Sequence, residues 1–170
     1  MGGERTMMNK KSLLPVLALV VVLLATLHIG TAYAKPPTQV AGTIELVGVV
    51  PSPGHTAGES DNQFLVMDLT EAWDGDIVAT GTTVGYWTVH NAPFMVNPDS
   101  WVCVHEKLLL DGTVLGVPGT VTMQLNIAGT EGRWSIIDGT GGLANLRGQG
   151  TLTLTTTPYS YTGQVHFAPP

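Results

Sequence analysis

The chain has 170 residues, of which 44% are hydrophobic and only 12% charged, with a net charge of −6 at neutral pH. Residues 35–170, 136 in all, carry four basic and twelve acidic side chains, a net charge of −8. So acidic a region lacks the clustered Lys and Arg that nucleic acid or anionic lipid requires, and its length suits one domain that closes a core without disulfides or metals.

Residues 1–34 read as a secretory signal peptide. Lys10 and Lys11 precede an uncharged apolar stretch, Leu13–Leu27, and Ala32-Tyr33-Ala34 offers small residues at both positions an exporting peptidase reads. The cut is expected before Lys35, which makes the protein extracellular or a resident of the periplasm or cell envelope. The rival reading is an uncleaved anchor, because Leu13–Ala34 is long enough to span a bilayer. Pro15, His28 and the Ala-x-Ala site fit a cleaved peptide better. Membrane contact is expected only if the leader is retained.

Beyond residue 35, period-two alternation rich in Val, Thr and Ile replaces helical periodicity, which is the strand signal. Eight strands are expected at about 39–50, 63–70, 76–90, 100–110, 113–117, 120–129, 132–138 and 147–157, and a last segment at 159–168 makes nine if the short piece at 113–117 counts separately. Asp74-Gly75 and Asp111-Gly112 are tight-hairpin signals, and Pro51–Asn62 and Asn91–Asp99 are polar loops. Val121, Met123, Leu125 and Ile127 alternate with Thr122, Gln124 and Asn126, so that sheet buries one side and wets the other. In Trp101–Leu110 neither face is plainly polar, which suggests a strand covered on both faces or a subunit interface. Many antiparallel strands with short turns point to a single eight-stranded antiparallel barrel, with a two-sheet sandwich as the alternative. A barrel of that size holds side chains or one small ligand.

The glycine-rich run Asp138–Gly150 carries a family resemblance. Trp134-Ser135-Ile136-Ile137-Asp138-Gly139-Thr140-Gly141-Gly142-Leu143, followed by Leu146-Arg147-Gly148, resembles the C-terminal motif of a family of small bacterial domains of unknown function. Those domains look related to allene oxide cyclase and plant dirigent proteins, and the similarity covers roughly residues 100–167. It implies an eight-stranded barrel, often trimeric, whose relatives cyclise a lipid epoxide or steer phenolic radical coupling without metal or organic cofactor. No catalytic residue of those relatives transfers to a position here. Physically, Gly139, Gly141, Gly142 and Gly148 permit a tight barrel corner. Leu143 and Leu146 are placed to plug a barrel end, with Arg147 bonding carbonyls the turn exposes. A phosphate loop is excluded, since neither Gly-Lys-Ser/Thr nor a long following helix is present.

The chemistry-bearing residues are few. Cys103, the single cysteine, lies between Val102 and Val104 with no nearby cation, which reads as a buried small hydrophobe. His55, His90, His105 and His166 form no ligand pair, and His105 and Glu106 point to opposite faces, so no metal site is expected. No Gly-x-Ser-x-Gly occurs. Asp68, Glu71, Asp74 and Asp76 gather about one hairpin and read as a solvated turn. Trp87, Trp101, Cys103 and His105 are the candidates for lining a ligand cavity, and His105 and Glu106 those for acid–base chemistry. The expectation is an exported barrel that binds a small apolar or aromatic molecule without a cofactor. A cofactor-free cyclase or isomerase, or a homo-oligomeric structural protein, is the alternative.

Overall fold

A computed structural model describes residues 36–51, 62–91 and 99–169. The expected leader, His55 and both long polar loops therefore lie outside the described residues, in whole or in part. Eight strands follow one another: β1 (Thr38–Pro51), β2 (Asn62–Gly75), β3 (Ile77–His90), β4 (Trp101–Val114), β5 (Val117–Ala128), β6 (Glu131–Gly139), β7 (Leu146–Thr153) and β8 (Tyr159–Phe167). Each pairs antiparallel with the next, and β1 pairs with β8, so the sheet closes as a barrel. Closure joins Thr38–Ile44 of β1 to β8, while Glu45–Pro51 of β1 pairs with β2 alone.

Side-chain alternation is the organising force. Each strand turns one set of alternate residues inward, and Val40, Ile44, Leu69, Leu108, Leu125, Leu152 and Val165 are all buried there. One end of the barrel is packed solid. The Tyr161 ring lies against Trp73 at 4.9 Å and edge-on to Trp134 at 6.5 Å. Trp134 has room because Gly150 and Gly163, a cross-strand pair, face it, and a Cβ on either would run into its indole. The Tyr161 hydroxyl accepts from the Ile77 backbone N–H at 2.9 Å, which satisfies it inside the core.

The glycine run forms the lid of this packed end. A short 3₁₀ turn, Gly141–Leu143, joins β6 to β7 and places Leu143 and Leu146 in the core, each 1% exposed. Gly141 has φ of 62° and opens the turn. Arg147 Nη1 donates to the Leu146 carbonyl at 2.7 Å.

Two local expectations change. Asp111-Gly112 does not turn the chain: both residues lie inside β4, which runs on to Val114. The turn falls at Leu115-Gly116, both with positive φ of 52° and 77°, the backbone of a type I′ hairpin. The piece at 113–117 is thus the end of β4, its turn and the first residue of β5 rather than a strand of its own. Likewise β2 extends to Gly75 instead of stopping near residue 70, which turns Glu71 and Trp73 into strand residues with inward side chains.

Candidate functional site

The other end of the barrel is not filled. A cavity of about 580 Å³ opens at the rim where β3 meets β4 and β5 meets β6. Its walls are mostly aliphatic, with Ile44, Leu69, Val104, Leu125 and Leu152 from five strands. Trp87, Trp101 and Tyr159 add aromatic surface.

Two acids interrupt the apolar wall, Glu71 on β2 and Glu106 on β4. They are 2% and 6% exposed. Their burial follows from strand parity: Leu69, Glu71 and Trp73 share the inward face of β2, and Val104, Glu106 and Leu108 that of β4. The strand between them, β3, keeps space open with small inward residues, Ala79, Gly81, Thr83 and Gly85. Gly81 is the cross-strand neighbour of Glu71, and Gly85 that of Glu106. The Trp87 indole nitrogen folds over Gly85, 2.6 Å from where a Cβ would stand. Thr83 spends its hydroxyl on the Lys107 carbonyl, at 2.8 Å, where β3–β4 pairing is interrupted.

The two carboxyls differ in their partners. Trp73 Nε1 donates to Glu71 Oε2 at 2.8 Å. Glu106 Oε2 is buried without a hydrogen-bond partner. Burial pushes the Glu71 carboxyl up to about 7, against the opposing pull of the Trp73 bond. Burial, with the nearby Glu71 charge adding to it, pushes Glu106 up to about 8. Desolvation dominates both shifts, as it does for acids in apolar pockets. Near neutral pH the pair therefore holds a proton that exposed carboxyls would have lost. Such a pair can donate a proton, accept one, or face a positive charge.

Of the expected site residues, Glu106, Trp87 and Trp101 line the cavity, Trp101 at the rim and 44% exposed. Cys103 and His105 do not. The inward residues of β4 are the even ones, so Trp101, Cys103 and His105 lie on its outer face, and the expectation of His105 in the lining is corrected. His105 is exposed, with Nδ1 2.7 Å from Asn126 Oδ1. Trp101 folds back at the rim and stacks on His90 at 4.2 Å. The residue missed at sequence level is Glu71, read there as part of a solvated turn. Its signal was Leu69-x-Glu71-x-Trp73, an acid flanked two residues away on both sides by large apolar side chains. Among the described residues no three His, Cys, Asp or Glu side chains gather as a metal site.

No protein-family profile matches the chain, and no curated protein is significantly similar to it in sequence. Solved structures are similar in fold. A protein of unknown function from the DUF3224 family of Shewanella oneidensis MR-1 superposes with a TM-score of 0.62 at 17% identity, covering 79% of this chain and all of its own. A pyocyanin demethylase gives a TM-score of 0.46 at 18% identity, covering 75% of this chain and 99% of its own. At these identities the similarity is one of fold: this chain has the small antiparallel β-barrel architecture of the Shewanella protein.

Proposed function

We propose that the barrel binds one small, largely apolar molecule in its open half, with Glu71 and Glu106 as the polar handle. The observation that carries this is the cavity of about 580 Å³ with apolar walls and two buried acids, in the range of roughly 300–1,000 Å³ typical of ligand pockets. A buried acid with an unpartnered oxygen is costly to the fold, and a bound ligand offsets that cost. The resemblance of residues 100–167 to the allene oxide cyclase and dirigent group supports a ligand held inside the barrel. The leader at residues 1–34 supports action outside the cytoplasm or in the cell envelope.

The test is titration with the neutral dye N-phenyl-1-naphthylamine, whose emission rises in apolar surroundings. Saturable binding at one site per chain is expected, blocked by Ile127→Trp, which fills the cavity wall. Signal that rises without saturation, or that ignores the substitution, rejects the reading.

A second reading is favoured by the raised acid pair: a cofactor-free isomerase or cyclase. Protonated Glu106 would give a proton to one end of a ligand while Glu71 removes one from another, with no net redox change. A cyclic enone bound in heavy water is expected to take up deuterium beside its carbonyl. Equal uptake with the wild type and with Glu71→Gln or Glu106→Gln rejects catalysis while leaving binding intact. Homo-oligomerisation stays a further proposal, supported by the exposed apolar side chains Phe64, Val84, Tyr86 and Leu109 on the outer faces of β2, β3 and β4. Light scattering that gives the monomer mass at high concentration removes it.

A further inference from the structure

The chemistry of the cavity narrows the ligand class, an inference that rests on the binding reading above. We infer that the site takes a lipophilic base: an amine or basic heterocycle whose charged nitrogen sits between Glu71 and Glu106 while its apolar body fills the rest of the cavity.

Charge complementarity is the main argument. Among the described residues the cations are Lys107, Arg133 and Arg147, and none reaches the pair. Lys107 is exposed on the face of β4 opposite Glu106. Arg133 is exposed on β6. Arg147 bonds the Leu146 carbonyl at the closed end. The titratable groups turned inward are the two carboxyls and, on β8, Tyr159 and Tyr161. The inward residues of β1, β3, β5, β6 and β7 are neither titratable nor charged. Two buried acids thus face an apolar cavity with no counter-charge inside it among the described residues, a condition that buried charges rarely meet unless something else supplies the partner.

The hydrogen-bond inventory favours the same class. Among the described residues Glu106 Oε2 is unpartnered and 94% withdrawn from solvent by residue, and the donor to Glu71 is the Trp73 indole. An ammonium brings several donors, enough for both carboxyls. A ligand carbonyl can only accept, so it uses the shared proton and leaves the other oxygens as they were. The Trp87 indole, folded over Gly85 beside Glu106, adds an aromatic surface suited to a cation. The small inward side chains of β3 leave the space that the ligand's charged end needs.

The class fixes the sign of the pH dependence. A cation binds best when the pair is ionised, so its affinity rises with pH until the ligand itself loses its proton. A neutral hydrogen-bond acceptor needs the protonated pair, so its affinity falls over the same range. The experiment uses two probes of one shape, 1-pyrenemethylamine and 1-pyrenemethanol, read by quenching of protein tryptophan emission. On going from about pH 6 to about pH 8.5 the amine is expected to bind about tenfold more tightly, as one ionisation step implies. The alcohol is expected to stay level or weaken. Glu106→Gln should weaken the amine by about tenfold and leave the alcohol within about twofold, the size expected for loss of one charge-assisted contact. Equal binding of the two probes in the wild type, or an amine affinity that falls as pH rises, overturns the lipophilic-base assignment while leaving the binding reading standing. Failure of both probes, and of the neutral dye, overturns the two together. The wild-type comparison needs no variant, so it decides the matter even if Glu106→Gln folds poorly.

Discussion

At the scale of single residues, Glu71 and Glu106 set the protein's response to pH. Both have folded-state values raised above 4.5, to about 7 and about 8. The folded state therefore binds more protons than the unfolded chain between those limits, and stability falls as pH rises through that window. Thermal melting should show a midpoint that is highest near pH 5 and lower at pH 9, by on the order of 6 kcal/mol in unfolding free energy for shifts of this size. Glu106→Gln should flatten that slope and raise the melting temperature at pH 9. A wild type that is equally stable at both pH values contradicts the burial of the pair. Trp73→Phe removes the donor to Glu71 and should cost about 1–3 kcal/mol at pH 9, less at pH 5, since an ionised acid then loses its partner. Glu106 was legible in the sequence as an acid–base candidate. Glu71 was not, because an acid four residues from Gly75 reads as part of a turn until the strand is known to reach that far.

At the scale of elements, two positions show where local chemistry and tertiary packing part company. Leu115 holds a left-handed backbone that glycine and asparagine accept more readily than leucine does. Leu115→Asn should stabilise the β4–β5 hairpin by about 1 kcal/mol, measured by urea unfolding. The Asp111-Gly112 signal misled because hairpin chemistry is permissive, whereas strand length is decided by pairing. Both residues are held in β4 by partners on two sides, Asp111 by Thr80 and Thr120, and Gly112 by Ala79 and Gly119. The glycine run shows the opposite case. Its role as a corner could be read from the sequence, since Leu143 and Leu146 were spaced to reach inward and both do. Leu143→Ala should cost about 2–5 kcal/mol by opening a cavity in the packed end. Gly163→Ala should cost about 1–3 kcal/mol by driving a methyl into Trp134. Neither substitution touches the ligand cavity, so dye binding by the folded fraction should persist.

At the scale of the whole molecule, the barrel divides into a solid end and a hollow end, and the division follows side-chain size. Tryptophan, tyrosine and the Leu143 plug fill one half, while small residues on β3 and aliphatic walls leave the other half open. The all-β class, the eight strands and barrel closure were within reach of the sequence, because alternation of apolar and polar residues is a local signal that each strand carries by itself. Its face assignment was local too: the clean alternation of Val121 to Ile127 marks the inward side unaided. What only the tertiary structure decided is which side of β4 is inside, where Trp101, Cys103 and His105 alternate with Val102, Val104 and Glu106 and neither set is plainly polar. Closure of the ring settles it. The even set joins the core shared with β3 and β5, and the odd set is turned outward. The meeting of Glu71 with Glu106 is of the same kind. The two acids are 35 positions apart in the chain, and they face one cavity only because β3, with no large inward side chain between Ala79 and Gly85, lies between them. No local pattern encodes a contact across a cavity, since it depends on what the intervening strand leaves empty.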